Sequence, residues 1–267
     1  MVEPPLLWTF TVPANEPTAF TSPTIAPDGT IVIMSDDSAL YALLPDGTTA
    51  WSVPPVLPGG GAFMPAIGRD GTIYTIGPNR SVAALTPAGA TKWTFGSYTS
   101  APSVRDDGTI LPTVPTPDAS TDVNDLSVIS PDGIQVWSVS VGYAWAFEPI
   151  TAADGTVYLD TGAGLAAVGA SGAPKWVIPL MASGGQSPVT DSAGTIYVGT
   201  YLCPSYPTGS GLQAVRSDGT QAWVFHPEAT FLSPSIGADG TLYAPAAWNT
   251  GSPAVPVIAS GLYAIGR

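Results

Sequence analysis

Six tryptophans recur along this chain at nearly constant spacing, and this repeat restricts the possible folds more than any other feature. The intervals between them are 43, 42, 44, 39 and 47 residues, for Trp8, Trp51, Trp93, Trp137, Trp176 and Trp223. The same parts follow in the same order between successive tryptophans: a Ser-Pro-like dipeptide, an Asp-Gly-Thr turn, an apolar stretch, a Leu-Tyr-Ala-Leu-like stretch and a second Asp-Gly turn. A period of about 40–45 residues with this content is typical of four-stranded propeller blades.

Each repeat predicts four short antiparallel strands, which we label A to D. Asp-Gly between β-branched runs is a strong hairpin signal, because glycine adopts the positive φ that such turns require. It joins strand A to B (Asp28-Gly29, for example) and strand C to D (Asp46-Gly47). Proline opens strand A, so one edge of that strand needs no backbone donor. The innermost strand of a blade, beside the central channel, satisfies this condition.

The repeat predicts an all-β fold, a single six-bladed β-propeller domain over residues 1–267. The last repeat stops after its strand C, Leu262-Tyr263-Ala264-Ile265, whereas the chain begins with a strand D, Leu7-Trp8-Thr9-Phe10. We therefore expect the N-terminal strand to close the last blade, which removes exposed sheet edges. The predicted blades cover about 20–54, 63–96, 100–140, 147–179, 186–226, and 232–266 with 7–12.

Composition and charge exclude several classes of protein. Charged residues are only 10% of the chain, against about 25% in an average domain, too few for the polar faces of a helical bundle. A net charge of −13 excludes a protein that binds the nucleic-acid backbone. No apolar run approaches the roughly 20 residues of a membrane span. Two lysines, an acidic balance and many Thr, Ser and Gly residues are typical of a secreted bacterial protein. We expect an extracellular, periplasmic or cell-surface location and a monomer.

The order of motifs resembles the quinoprotein-like (PQQ-repeat) β-propeller superfamily, over essentially the whole chain. The resemblance implies a propeller fold. The resemblance also implies what an enzyme of this superfamily would look like: the dehydrogenases that bind pyrroloquinoline quinone are longer, have eight blades and contain a vicinal cysteine pair. This chain has one cysteine, Cys203, and six predicted blades, so it resembles the non-catalytic repeat proteins more closely. We predict no cofactor and do not expect pyrroloquinoline quinone.

The predicted topology separates a uniform face of Asp-Gly turns from a variable face of B–C and D–A loops. Eight of the 20 acidic residues precede the glycine of a turn, where their side chains hold their own backbone. Eight others map to the variable face: Asp36, Asp37, Asp118, Asp122, Asp125, Glu148, Asp160 and Glu228. Irregular loops are where binding residues concentrate, so we interpret the variable face as an acidic binding face that favours cations or basic partners. The alternative is that these acids only keep the protein soluble.

Aromatic residues outside the repeat register also map to the variable face. Flat aromatic surfaces beside carboxylates suit sugar rings or cationic groups. The predicted ligand-binding residues are Tyr98, Tyr143, Trp145, Phe147, Tyr206, Phe231 and Trp248. The alternative is that these side chains only cover the ends of the blades.

Two groups of carboxylates are candidates for chemistry. Pairing strands A and B of the fourth blade across Asp154-Gly155 places Asp160 opposite Pro149, one residue from Glu148. Such a pair can act as acid and base, bind a cation, or be an incidental solvated pair. Asp118, Asp122 and Asp125 form a candidate calcium site, although their spacing is not that of an EF-hand loop.

Three functional hypotheses follow from these observations. The first is a secreted or surface-associated interaction module that binds a glycan-like or protein ligand on its acidic, aromatic face. The second is a glycan hydrolase or lyase that uses Glu148 and Asp160 at the channel mouth. The third is a structural repeat within a larger polypeptide.

Overall fold

The structure is a computed structural model that describes most of the chain. The described residues are 5–12, 19–36, 39–54, 64–77, 81–96, 102–115, 124–142, 149–161, 163–180, 187–200, 211–225, 229–249 and 258–266. They contain 25 β-strands and no helix. The strands form six antiparallel sheets, numbered 1 to 6 in chain order. The chain divides into two compact units, residues 1–115 with 127–136 and residues 116–126 with 137–267.

Four of the six sheets have the predicted A-B-C-D order, because each strand pairs with the next along the chain. Sheet 1 contains β1 (Thr24–Ile25), β2 (Ile31–Met34), β3 (Leu40–Leu43) and β4 (Thr49–Val53). Sheet 2 contains β5 (Ala66–Ile67), β6 (Ile73–Ile76), β7 (Val82–Leu85) and β8 (Thr91–Phe95). Sheet 4 contains β14 (Ile150–Thr151), β15 (Val157–Thr161), β16 (Gly164–Val168) and β17 (Pro174–Ile178). Sheet 5 contains β18 (Val189–Thr190), β19 (Ile196–Thr200), β20 (Gly211–Val215) and β21 (Gln221–Phe225).

In sheet 3 the predicted strand B is divided in two. The sheet contains β9 (Ser103–Val104), β10 (Ile110–Leu111), β11 (Thr113–Pro115), β12 (Asn124–Ile129) and β13 (Gln135–Gly142). Both β10 and β11 pair with β12. The interruption falls at Pro112, which has no backbone N–H to donate to a ladder.

Sheet 6 departs furthest from the prediction. It contains β22 (Ala229–Phe231), β23 (Ser235–Ile236), β24 (Leu242–Asn249) and β25 (Ile258–Ile265). The sequence of this repeat also predicts a long B–C loop from Pro245 to Ser260, and this prediction is wrong for residues 245–249 and 258–260, because they belong to β24 and β25 and Asn249 still pairs with Ile258. β24 extends this far because β22 and β25 both supply backbone hydrogen-bond partners along it.

The expected closing strand is not formed. Residues 5–12 contain no strand, and within the described residues the only strand partner of β25 is β24. Within the described residues, sheet 6 therefore has no strand D. The assignment of residues 1–267 to a single domain stays a prediction.

The Asp-Gly-Thr turns adopt the conformation that the sequence predicts. In the A–B turn of sheet 1, Gly29 has φ +88° and its N–H donates to the carbonyl of Ala26 at 2.9 Å. The Asp28 carboxylate accepts the N–H of Thr30 at 2.9 Å. Because these contacts join residues within one turn, the local sequence is sufficient to specify it.

Five of the six recurring tryptophans pack against the C–D turn of the repeat that follows each of them. Each indole N–H donates to a turn carbonyl: Trp8 to Pro45 at 2.9 Å, Trp51 to Pro87 at 2.8 Å, Trp93 to Pro131 at 2.7 Å, Trp137 to Ala170 at 3.0 Å and Trp176 to Ser217 at 3.0 Å. The turn glycine lies flat on the ring. A Cβ added at Gly89, for example, would lie 2.8 Å from Trp51. The regular recurrence of the tryptophans in the repeat predicts that they pack between repeats, and for these five the prediction is confirmed.

The apolar core lies between successive sheets within each unit. Val32, Met34 and Leu40 of sheet 1 pack with Ile73 and Val82 of sheet 2. In the second unit, similar clusters join sheets 4 and 5 and sheets 5 and 6. Each sheet therefore buries side chains on a packed face while its turns and loops stand at its two ends.

Candidate functional site

The two ends of each sheet differ in chemistry. The A–B and C–D turns lie at one end, which we call the turn end, and the B–C and D–A connections lie at the other, which we call the loop end. At the turn ends, six threonines donate their hydroxyl protons to an aspartate two residues earlier: Thr48, Thr72, Thr109, Thr156, Thr220 and Thr241. The acidic groups of the turn ends are thus already engaged within the fold.

These hydrogen bonds lower the pKa of the turn aspartates. For Asp46 and Asp70 the threonine hydroxyl is the largest cause and the threonine N–H the second. The carboxylate form is therefore stabilised by its own turn. The interpretation of these acids as turn formers is confirmed for seven positions: Asp28, Asp46, Asp70, Asp107, Asp154, Asp218 and Asp239. The eighth, Asp132, is followed by Gly-Ile instead of Gly-Thr, and there the Ser130 hydroxyl accepts the N–H of Ile134 at 3.2 Å.

Each of the two lysines of the chain makes the same kind of contact at the turn end of its own sheet. Lys175 donates to the hydroxyl of Thr156 at 2.7 Å and lies 3.5 Å from the carboxylate of Asp154. Lys92 donates to the corresponding threonine of sheet 2, Thr72, at 3.0 Å. The basic groups nearest these turns therefore support the turn and do not form a separate site.

Most of the predicted ligand-binding and catalytic residues lie outside the described part of the chain. These are Tyr98, Tyr143, Trp145, Phe147, Tyr206, Glu148, Asp118 and Asp122. Their assignments stay predictions. Within the described residues, no group of three or more His, Cys, Asp or Glu side chains could hold a metal ion. Asp125 is half-buried on β12 and accepts the hydroxyl proton of Ser138 at 3.4 Å.

The prediction that Phe231 binds ligand at the surface is wrong. Its side chain is 0% exposed and its ring packs on Phe225 and Tyr263, with centroids 6.0 and 5.4 Å away. Phe231 is buried because Gly199 of sheet 5 has no side chain, which lets the segment of Phe231 and Leu232 pack closely against it. A Cβ at Gly199 would lie 2.9 Å from the Cβ of Phe231. Trp248 lies on β24, where its backbone pairs with Ala229 and Ala259.

Asp160 lies on β15 and is buried, with 3% of its surface exposed. The register expected between strands A and B of this sheet is wrong by one residue, because Ile150 pairs with Tyr158 and not with Leu159. A buried carboxylate on a central strand is unusual and is compatible with a structural or a chemical role. Its pairing with Glu148 stays a prediction.

An aromatic cluster at the loop end of sheet 1 was not singled out from the sequence. The rings of Phe10, Phe20 and Tyr41 lie 5.4 to 6.3 Å apart between centroids. Phe20 is 38% exposed. The exposed Asp36 holds the segment that carries Phe20. The Asp36 carboxylate accepts the N–H of Ala19 at 3.2 Å, and the Asp36 N–H donates to the carbonyl of Ala19 at 2.9 Å. We call Phe10, Phe20, Tyr41 and Asp36 the sheet 1 cluster.

The repeat register contains the signal that identifies this cluster. Phe10 stands two residues after Trp8, Phe20 two residues before Ser22-Pro23, and Tyr41 in the Leu-Tyr-Ala-Leu stretch. Aromatic residues occupy all three positions in only one other repeat, as Phe225, Phe231 and Tyr263. Comparing columns of the repeat, instead of loops alone, predicts that the three rings meet.

The described residues contain no helix that is long and apolar enough to cross a membrane. The tandem four-stranded antiparallel sheets, joined by Asp-Gly turns and packed through tryptophans, define an all-β protein of the β-propeller class with PQQ-type repeats. The family model described as outer membrane protein assembly factor BamB matches residues 119–252, half of the chain. The chain belongs to this family.

Solved structures of propellers share the fold. BamB from Moraxella catarrhalis matches with a TM-score of 0.62 and 19% identity, over 83% of this chain and 65% of that one. The C-terminal WD40 domain of Sif2 matches with a TM-score of 0.68 and 10% identity, over 88% and 67%. The dihydro-heme d1 dehydrogenase NirN matches with a TM-score of 0.62 and 13% identity, over 87% and 52%. This chain thus spans about two thirds or less of these proteins. Among curated protein sequences no match was found.

Proposed function

We propose that this protein is an extracytoplasmic interaction module that binds another protein through the loop ends of its sheets. The observation that carries the proposal is the contrast between the two ends of the sheets. Carboxylates at the turn ends are bonded within their own turns, whereas at the loop end of sheet 1 the exposed aromatic side chain of Phe20 follows Ala19, whose N–H is held by the exposed carboxylate of Asp36.

The chemistry of the sheet 1 cluster favours a partner with apolar and basic groups. Aromatic side chains supply much of the energy of protein interfaces, because they bury a large area with few rotatable bonds. The carboxylate of Asp36 and the net charge of −13 attract a positively charged partner over a longer range. A sugar ring is the second ligand that such a surface can accept.

Membership of a family described as an outer membrane protein assembly factor supports an interaction role and an extracytoplasmic location. The sequence composition points the same way. The hydrolase or lyase hypothesis keeps as its support only the buried carboxylate of Asp160. The interaction role therefore remains the better supported of the two.

The proposal is tested by replacing Phe20 with alanine in the full chain. The matched control is Leu44→Ala, because Leu44 is 41% exposed, against 38% for Phe20, and lies at the turn end of the same sheet. Immobilised wild-type and variant proteins are incubated with a bacterial envelope extract, and the recovered partner is then titrated in purified form. Truncation of an aromatic anchor costs about 2 kcal/mol, or about 30-fold in Kd.

We expect Phe20→Ala to weaken binding of the partner by about 30-fold in Kd, and Leu44→Ala to leave the affinity unchanged. Equal affinity for both variants and wild type would show that the sheet 1 cluster is not the binding surface. A glycan array run with the same three proteins separates the two ligand classes. Binding of a glycan with the same dependence on Phe20, and no protein partner, would replace the protein ligand with a sugar.

A further inference from the structure

Asp132 differs from the aspartates of the other seven Asp-Gly turns, because its carboxylate is not held by its own turn. In those seven turns the residue two positions later is a threonine, whose N–H donates to the carboxylate at 2.8 to 3.0 Å. The threonine hydroxyl also donates to it, at 2.6 Å for Asp46. Among the described residues, the Asp132 carboxylate accepts no hydrogen bond.

The sequence around Asp132 explains this difference. The residue two positions after it is Ile134, which has no hydroxyl. The residue two positions before it is Ser130, whose hydroxyl accepts the N–H of Ile134 at 3.2 Å. The turn is thus closed without the aspartate, whose side chain is left exposed to solvent.

The backbone of the Asp132 turn is the same as in the other seven Asp-Gly turns. Gly133 has φ +82°, within the range of +80° to +88° that the glycines of the eight turns cover. Its N–H donates to the carbonyl of Ser130 at 2.9 Å, and the corresponding distance is 2.9 Å in each of the other turns. All eight aspartates are exposed. Only the anchoring of the carboxylate therefore distinguishes Asp132.

We propose that Asp132-Gly133 is a site of spontaneous isomerisation, where aspartate converts to isoaspartate faster than in the other seven turns. The Gly133 nitrogen attacks the Cγ atom of the protonated Asp132 carboxyl group, so that a C–N bond forms, a C–O bond breaks and a water molecule leaves. Water then adds to one of the two carbonyls of the resulting succinimide. Cleavage of the nitrogen bond to Cγ returns aspartate, and cleavage of the nitrogen bond to the main-chain carbonyl carbon gives isoaspartate. The water released in the first step is consumed in the second, and no oxidant or cofactor is needed.

The anchored aspartates react more slowly for two reasons. Their carboxylates must break hydrogen bonds to the threonine before Cγ can turn towards the glycine nitrogen, and loss of even one hydrogen bond to a charged group corresponds to about tenfold in rate. The same hydrogen bonds lower the pKa of these carboxyl groups. In Asp46 and Asp218 the threonine hydroxyl is the largest cause, so less of the reactive protonated form is present.

Isomerisation at this position changes a contact between sheet 2 and the C–D turn of sheet 3. Isoaspartate places an additional carbon atom in the main chain between Asp132 and Gly133. Gly133 lies on the ring of Trp93, where an added Cβ would come within 2.7 Å of it, and the Trp93 N–H donates to the carbonyl of Pro131 at 2.7 Å. A lengthened turn displaces the glycine from the ring, so the modified protein should have a lower Tm.

The test stores the full chain in water labelled with heavy oxygen at physiological temperature and samples it over several weeks. Each succinimide that hydrolyses incorporates a labelled oxygen atom, which mass spectrometry of proteolytic peptides assigns to a particular aspartate. An endoprotease that cleaves before aspartate but not before isoaspartate identifies the product. We expect label and isoaspartate to accumulate at Asp132 about tenfold faster, or more, than at the other seven positions.

Exchanging the anchoring residues between two C–D turns provides the matched control. Ser130→Leu together with Ile134→Thr gives the Asp132 turn the sequence Leu-Pro-Asp-Gly-Thr, which is the sequence of residues 44–48. Leu44→Ser together with Thr48→Ile makes the reverse change, and gives the Asp46 turn the sequence Ser-Pro-Asp-Gly-Ile.

We expect the first double variant to slow labelling of Asp132 to the wild-type rate of Asp46, and the second to speed labelling of Asp46. The Tm of stored wild-type protein should fall as its isoaspartate content rises, whereas the Tm of the first double variant should stay constant. Equal labelling at all eight positions would overturn the proposal, and so would labelling at Asp132 that does not respond to the exchange. An unchanged Tm at high isoaspartate content would overturn the expected loss of the contact with Trp93.

Discussion

Replacing Gly47 with alanine tests whether the N-terminal segment rests on the first C–D turn. Gly29, in the A–B turn of the same sheet, is the matched control. The two glycines have φ +86° and +88°, so the cost of holding alanine in the left-handed region, about 1–2 kcal/mol, is the same for both. Any further difference between the two variants comes from the surroundings of the new Cβ.

Those surroundings differ sharply. At position 47 the Cβ would lie 2.6 Å from the Cδ2 atom of Trp8, whereas at position 29 its nearest neighbour is the Cγ atom of Pro45 at 3.5 Å, an ordinary contact. The indole must therefore move in the Gly47→Ala variant. Its movement breaks the hydrogen bond from Trp8 to the Pro45 carbonyl, worth about 0.5–1.5 kcal/mol, and loses ring contacts of similar size.

We therefore expect Gly47→Ala to lower the free energy of unfolding by about 1–3 kcal/mol more than Gly29→Ala. For a chain of this size, 1 kcal/mol corresponds to about 2–4 °C in Tm, so the two variants should differ by roughly 2–12 °C. Thermal and urea unfolding followed by circular dichroism measure the difference. Equal losses in the two variants would refute the docking of Trp8.

Gly89→Ala distinguishes a failure of the N-terminal contact from a failure of the packing argument. Its Cβ would lie 2.8 Å from Trp51, which belongs to β4 and not to the N-terminal segment. A large loss for Gly89→Ala with a small one for Gly47→Ala would reject only the contact of Trp8. Small losses for both would reject the general role of the tryptophan against its turn.

Three further predictions concern side chains of the described residues. Phe231→Ala should cost about 3–5 kcal/mol, as is usual for a buried phenylalanine, and Phe20→Ala less than half as much, by urea unfolding; equal losses would contradict their different burial. Lys175→Met should change the free energy of unfolding by less than about 1 kcal/mol, because the ion pair is largely exposed, and a greater loss in the same assay would contradict this. The pKa of Asp154 is lowered in the folded protein, first by the N–H and then by the hydroxyl of Thr156. The ionised carboxylate therefore stabilises the fold at pH values above the unfolded-state pKa of about 3.9, and this stabilisation is lost as the pH falls through the lower folded-state pKa. Thr156→Val should reduce the fall in Tm between pH 5 and pH 2, and an unchanged profile would contradict the assignment.

Features that depend on neighbouring residues in the chain could be predicted from the sequence. The Asp28 carboxylate bonds to Thr30, two residues away, and the hairpin of β2 and β3 joins Met34 to Leu40. Such contacts recur wherever their short motifs recur. The number of repeats, the order of strands in most sheets and the packing role of the tryptophans therefore followed from the repeat.

The candidate site was predicted less well, because loops were judged by their composition. Phe20 and Phe231 occupy the same position of the repeat, yet one is 38% exposed and the other 0% exposed. Sequence could indicate that both lie near an aromatic pair. It could not indicate that Gly199, from a different sheet, gives Phe231 a wall to pack against.

The sequence by itself determined the repeat, the turns and the residues that each sheet presents at its two ends, because these depend on contacts within one hairpin or between one tryptophan and the next turn. Only the tertiary structure decided which equivalent side chains are covered. It extended β24 and β25 into a long hairpin where a loop was expected, and it buried Phe231 while it left Phe20 exposed at the same position of the repeat. Burial depends on which strands lie alongside, and those strands come from distant parts of the chain whose pairing no local motif specifies.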